Sequence, residues 1–289
     1  MDLYTIYRPI TATPFRCGDK YMEYEPCDIL KPYIRCFWGT RGIVNCRKSS
    51  VVTEEIVTPD TCVDIIFTAD YTNNKLDSRF RGIDDRAFLT RRTDVEDRAL
   101  SMFAIRFYAW GAAAFAQESM KKTKNAYFDA EHHFSEIKKE IEKQLFYTAD
   151  IFQLIPTAEK VLLKNLRVRP QNQTVLQAVY EILSKRGNIL IGDLKRRTLI
   201  GDRQLERLFD EYIGISPKSL SAIVRYQCLW NDLIYNKSFN TLDAVYRYGY
   251  SDQAHLCHDF KKYHSMNMAD ARKYALRNVG NIQDPFSRS

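Results

Sequence analysis

The sequence predicts an α+β chain with a β-rich, barrel or sandwich-like amino-terminal domain, a helical linker, and an all-α carboxy-terminal domain holding two helix-turn-helix units. Three observations predict it. Before about residue 107 the apolar residues come in short runs of strand length, and after Trp110 they recur at helical spacing. The last part of the chain then repeats itself at an offset of 51 residues. The expected divisions are 1–130 for the β-rich domain, 131–170 for the linker, 171–278 for the helical domain and 279–289 for a tail.

In the amino-terminal part, Tyr33-Ile34-Arg35-Cys36-Phe37-Trp38 alternates and Val51 to Val57 has β-branched content. Cys62-Val63-Asp64-Ile65-Ile66-Phe67 is a short buried-type run, and Met102-Phe103-Ala104-Ile105-Arg106-Phe107 alternates again. Turn formers separate these runs, Asn73-Asn74 and Gly82 with Asp84-Asp85. Several short strands without long helices between them suggest a barrel or sandwich, whose interior is either filled or keeps a cavity for one ligand. Tyr33, Phe37, Trp38 and Phe67 are the candidate effector-binding residues. Neighbours on a strand point to opposite faces, so Trp38 is expected on a different wall from Tyr33 and Phe37. The expected ligand is a small organic molecule, uncharged or weakly charged; a core packed solid by the same rings is the alternative.

After Trp110, Ala112 to Ala116 are strong helix formers, and Phe134, Ile137, Ile141 and Leu145 form a stripe flanked by charged residues. That stripe packs within its own domain or forms a homodimer seam, and both readings stay open. A second helix is expected from about Thr157 to Val168. It ends at Arg169-Pro170, where the proline disfavours α conformation in the residue before it and marks a boundary. Val175, Val179, Ile182 and Leu183 define the next helix, over 171–185. Ile191 to Thr198 and Asp202 to Tyr212 read as scaffold and recognition helices, and Ser219 to Tyr235 as a long connection anchored by Leu220, Ile223, Leu229 and Leu233. A second pair follows. Thr241 to Tyr248 leads into Gly249, which permits the positive φ of a sharp turn, and Asp252 caps a helix whose buried stripe is Leu256, Phe260 and Tyr263. Shifted by 51 residues, Leu205, Arg207, Phe209 and Tyr212 fall on Leu256, His258, Phe260 and Tyr263.

At these residues the chain resembles the AraC/XylS family of bacterial transcription regulators. The matching text is Arg203-Gln204-Leu205-Glu206-Arg207-Leu208-Phe209, Gly214-Ile215-Ser216-Pro217-Lys218, Arg225-Tyr226-Gln227, and Gly249-Tyr250 through Phe260. The resemblance implies a seven-helix DNA-binding domain, double-stranded DNA and RNA polymerase as partners, and transcriptional activation. The chain departs from the family pattern at Lys195, where a small residue is usual, and at Leu199, where glycine is usual. Gly201 stands in place of a serine cap, and Ser265 and Met268 in place of glycine and proline. A less specific resemblance to the amino-terminal half of one branch of the family lies in Tyr24-Glu25-Pro26, Leu30 to Ile34, Trp38, Thr58-Pro59-Asp60 and Phe107 to Gly111.

Reading DNA needs polar side chains on base edges for sequence choice, and cations or helix N-termini on phosphates for affinity. The first recognition helix offers Arg203, Glu206 and Arg207, which fall on the family's base-reading positions. Arginine can fork to guanine and glutamate can accept from cytosine. The second offers Gln253, Ala254, His255 and His258, a weaker set, because alanine only touches a thymine methyl and neutral histidine has one donor. Specificity is therefore expected to rest mainly on the first unit. Gln204, Lys218, Arg225, Lys261 and Lys262 are the candidate backbone contacts, the four cations being alternatively solvated charges. Arg207 has an alternative partner in Asp210 or Glu211 at helical spacing. His255, Cys257 and His258 do not share one helix face, so no metal site is expected there.

Composition narrows the classes. A net charge of +7 favours an anionic partner, and from Gln171 onward there are 17 Lys and Arg against 12 Asp and Glu. Seven cysteines at irregular spacing without a CxxC pair argue against a disulfide framework and a structural zinc site. Five of them, Cys17, Cys27, Cys36, Cys46 and Cys62, lie early. They read as tolerated thiols or, alternatively, as a thiol or metal sensor. No apolar run spans a membrane and no leader is legible at the start, which predicts a cytoplasmic, nucleoid-associated protein. The absence of a nucleophile elbow, a phosphate-binding glycine loop and metal-spaced ligands argues against an enzyme and against a cofactor. A partner-binding amino-terminal domain is the alternative to a sensor.

Overall fold

The computed structural model describes residues 2–10, 21–48, 53–92, 96–167 and 173–277. After a short helix α1 (Leu3–Ile6), nine strands follow: β1 (Tyr21–Tyr24), β2 (Ile34–Thr40), β3 (Val44–Cys46), β4 (Thr53–Val57), β5 (Cys62–Asp70), β6 (Lys75–Arg81), β7 (Phe88–Arg92), β8 (Arg98–Tyr108) and β9 (Tyr127–Asp129). The main sheet runs β1-β2-β8-β5-β6-β9 with β3 also on β8, and β4 and β7 form a separate two-stranded sheet. Each pairing in both sheets is antiparallel.

Alternation divides the main sheet into two chemically different faces. On one, Phe37, Ile65, Phe67, Phe80, Phe103, Ile105 and Phe107 are all fully buried. On the other stand Cys36, Trp38, Cys62, Asp64 and Arg106, with Cys36 opposite Arg106 and Asp64 opposite both Arg106 and Arg81. The pairing slips between Ile34 and Cys36. That bulge reverses the parity of the strand, so Ile34 and Phe37 both belong to the core although they lie three positions apart.

The apolar face is covered by α2 (Glu131–Leu145) and α3 (Ile151–Asn165). Phe134 stacks on Phe80 and Phe107 at 5.7 and 5.9 Å, and Ile137, Ile141 and Leu145 are buried with it. The stripe is therefore used inside the chain and leaves no apolar seam for a second copy, because the sheet offers a larger apolar surface at no loss of translational freedom. The Ala112 to Ala116 run forms only one 3-10 turn, Ala112–Ala114. α3 begins six residues before the expected Thr157 and runs through Pro156. Asp150 caps it by accepting from Phe152 N at 2.9 Å, while Ile151, Leu154 and Ile155 are buried and the proline faces solvent.

Seven helices complete the described chain: α4 (Gln173–Ser184), α5 (Ile191–Thr198), α6 (Asp202–Tyr212), α7 (Pro217–Tyr235), α8 (Thr241–Tyr248), α9 (Gln253–His264) and α10 (Met268–Arg277). Arg169-Pro170, the tail 279–289, Cys17 and the start of the Val51 run lie outside the described residues. The two halves meet on α7 and α6. Gln227, almost fully buried, accepts from Ile10 N and donates through Nε2 to Pro59 O, both at 2.8 Å. Met120 N donates to Glu211 O at 2.8 Å, and a Cβ on Gly214 would come 2.1 Å from Thr123 Oγ1.

Candidate nucleic-acid interface

Each helix-turn-helix unit is built from local sequence. α6 buries Leu205, Leu208 and Phe209 and exposes Arg203, Gln204, Glu206 and Arg207. It has no side-chain cap, since Gly201 stands at the N-cap, but Asp202 occupies its first turn and Lys195 Nζ reaches across from α5 to Asp202 Oδ2 at 2.8 Å. Thus Lys195, which departs from the family pattern, ties scaffold to recognition helix. Leu199 ends α5 at φ +58°, the left-handed backbone that glycine would adopt without strain, and its side chain is exposed. Ser265 does the same after α9 at φ +62°.

α9 buries Leu256, Phe260 and Tyr263 and exposes Gln253, Ala254, His255 and His258. Asp252 caps it, accepting from His255 N at 2.7 Å. Gly249 at the end of α8 has φ +67°, and a Cβ there would meet Asn188 Oδ1 at 2.2 Å. The turn before α9 is one residue longer than the turn before α6, so the scaffold helices are offset by 50 and the recognition helices by 51. Between the units, α7 begins at Pro217 behind a Ser216 cap and buries Leu220, Ile223, Leu229 and Leu233.

Not all the expected cations are free. Arg207 Nη1 pairs with Glu211 Oε2 at 3.1 Å, the arginine exposed and the glutamate half-buried. Such a pair on a helix surface is worth about 0.3–0.5 kcal/mol, against about 1–3 kcal/mol for discrimination by a good bidentate base contact. The pair is therefore too weak to hold Arg207 away from a stronger acceptor. Arg225 differs: it lies 4.5 Å over the Tyr250 ring and pairs with Asp259 at 3.5 Å, so it joins α7 to α9 rather than standing free for a phosphate. Lys218, Lys261 and Lys262 are all exposed, and Lys262 Nζ lies 4.7 Å over the ring of its neighbour Tyr263. Partial desolvation of Glu206, with Asp202 and Asp210 nearby, raises its carboxyl.

Sequence reasoning missed His264. It is buried, Nδ1 lies 2.7 Å from Tyr226 Oη, and burial lowers its pKa to about 3, so a neutral imidazole sits in the core at the end of α9.

The four effector-binding candidates do not come together. Phe37 and Phe67 both pack on Phe103, at 5.8 and 6.1 Å, on the apolar face under α2 and α3. Tyr33 precedes the bulge, lies before the strand, and meets Phe115 edge-on at 5.7 Å. Trp38 alone of the four lines the cavity between the sheets, of about 310 Å³. Cys36 and Cys62 are buried and their thiols held high, Cys36 at about 12, first by burial, which leaves no reactive thiolate at either position.

Residues 194–274 match a family described as a helix-turn-helix domain, and residues 22–129 match a family described as a domain of unknown function (DUF6597). No curated protein matches the chain. Among solved structures it is similar to ToxT from Vibrio cholerae, at 9% identity and a TM-score of 0.37, over 81% of this chain and 98% of that one. It is also similar to the unsaturated fatty acid-bound wild-type ToxT of strain SCE256, at 10% identity and a TM-score of 0.35, over 88% and 95% of the two chains. Similarity of that degree implies neither ligand nor partner for this chain. No described helix is long and apolar enough to cross a membrane.

Proposed function

We propose that this chain is a DNA-binding transcription regulator of the AraC/XylS type, in which α6 and α9 enter successive major-groove segments of one operator and the β-rich domain senses a small molecule; the helix-turn-helix match over residues 194–274 supports the reading. The observation that carries the reading is the pair of capped or charge-tied helices, each buried on a Leu and Phe stripe and each exposing its polar residues, joined by one long helix. Arg203, Glu206 and Arg207 read bases at the first segment, and Gln253, Ala254, His255 and His258 at the second. Gln204, Lys218 and Lys261 lie at the phosphates. Activation through RNA polymerase, a cytoplasmic place on the nucleoid, and a regulatory rather than catalytic role belong to the same proposal. A homodimer, if formed, would use a surface other than the buried Phe134 stripe. Burial of Cys36 and Cys62 argues against a thiol sensor at those two positions.

A genome-wide footprint in cells with and without the protein tests this. The expected result is sites with two protected major-groove segments about one helical turn apart, roughly 10–10.5 bp. Protection that follows no sequence, or a single protected segment, would overturn the two-helix reading.

A further inference from the structure

The cavity between the main sheet and β4–β7 is lined by the polar face of the main sheet on one side and by Val57, Phe88 and Thr90 on the other. Its charged groups are three carboxylates, Asp60, Asp64 and Asp84, and two guanidinium groups, Arg81 and Arg106. Four of these five satisfy one another. Arg106 forks onto Asp64 through Nε and Nη2, both at 3.0 Å, and Trp38 Nε1 adds a third hydrogen bond to that carboxylate at 2.8 Å. Arg81 Nη2 lies 2.8 Å from Asp84 Oδ2, and the guanidinium lies 4.5 Å over the Phe88 ring.

Asp60 is left over. Its Oδ1 accepts from Cys62 N at 2.8 Å, but Oδ2 has no hydrogen-bond partner although the residue is only 6% exposed. The Arg106 guanidinium stands 3.8 Å away, already forked to Asp64. A buried carboxylate oxygen without a donor is costly unless something supplies one. An anion would meet three carboxylates and two guanidinium groups already neutralised, so the site selects against it. A ligand carrying positively charged N–H donors supplies both the bond and the charge.

We propose that this cavity binds a small organic cation, an ammonium or amidinium group on a compact apolar body, donating to Asp60 Oδ2 with its body against Trp38, Val57, Ile66 and Phe88. The inference rests on the sensing role given to the β-rich domain and replaces the uncharged ligand that the aromatic content alone suggested. The site is also placed to report occupancy. Pro59, the residue before Asp60, accepts through its carbonyl from Gln227 Nε2 on α7, the helix that joins the two DNA-reading units. A ligand on Asp60 thus lies one peptide from that joint.

Two size-matched probe sets test the proposal on the full chain at about pH 8.5, where Asp60 is ionised and both cationic probes keep their charge, by thermal shift and calorimetry: phenethylamine, phenethyl alcohol and phenylacetate, and benzamidine, benzamide and benzoate. The expected result is that a cationic probe raises Tm by about 2–4 °C at about ten times its Kd, and that its neutral and anionic partners do not. Asp60→Asn should abolish the preference. Ile66→Trp, which fills the cavity without touching a charge, should abolish binding and serves where Asp60→Asn does not fold. No response to either cation, an equal response within both sets, a preference for carboxylate, or cation binding that survives Ile66→Trp would overturn the site. The footprint of the ligand-free protein is read separately, so loss of sequence-specific protection with cation binding intact overturns the regulator and leaves the site standing. Cation binding that leaves operator affinity unchanged likewise supports the site and removes its sensing role.

Discussion

At the scale of single residues, exposure and prior engagement decide which side chains are available to DNA. Arg207 keeps only a surface pair with Glu211. Arg207→Ala is therefore expected to weaken binding to the specific site by about 1–3 kcal/mol while leaving random-sequence DNA nearly unaffected, in titrations at one fixed salt concentration. Equal losses on both DNAs would assign the side chain to phosphate. Asp60 makes a second prediction, about pH. Burial is the largest cause holding its carboxyl at about 7; Arg106 and the Cys62 N–H oppose the rise, while Asp64 and Asp84 add to it. An unfolded aspartate titrates near pH 4, so the folded chain resists an ionisation that the unfolded chain accepts as pH rises from about 4 to 7, and stability is lost across that window. Asp60→Asn should be close to neutral at pH 4 and stabilising at pH 8, by thermal unfolding at both. A shift of equal size at the two pH values would place the cost on other groups.

At the scale of elements, the recognition helices were legible because their signals are local. The i, i+4, i+7 stripe of Leu256, Phe260 and Tyr263 and the cap at Asp252 need only neighbours within a few turns. The strands were less legible: β1, β3 and β9 have only three or four residues each, too few for alternation to show. Leu199 tests how the first unit tolerates its departure from glycine. It is 89% exposed at φ +58°, so its side chain contributes little packing while its backbone is held left-handed. Left-handed backbone costs an L-residue about 1–2 kcal/mol, part of which glycine returns through its more flexible unfolded chain. Leu199→Gly should raise stability by up to about 1 kcal/mol in denaturant titration. A loss of stability would show that the leucine packs in a way its exposure does not reveal.

At the scale of the whole molecule, Gln227 is one joint between the halves, satisfying Ile10 N–H and Pro59 C=O with one side chain. Gln227→Ala leaves both backbone groups buried and unpaired, at roughly 1–3 kcal/mol each. The expected result is a lower midpoint in chemical unfolding, read from fluorescence of Trp38 and Trp110 in one half and Trp230 in the other. An unchanged midpoint would show that water replaces the side chain and that the halves are not joined there. The sequence by itself determined the helical half, its two units and the faces they expose, because helix periodicity, caps and the glycine turn are properties of neighbouring residues. It also placed a β-rich half before it. Only the tertiary structure decided that the Phe134 stripe is consumed by the sheet, that a bulge removes Tyr33 from the wall of Phe37, that Tyr250 and Asp259 occupy Arg225, and that Asp60 is the one cavity carboxylate whose Oδ2 lacks a donor. Each depends on groups far apart in the chain, such as Asp64 and Arg106, 42 residues apart, and it is strand register that brings them together.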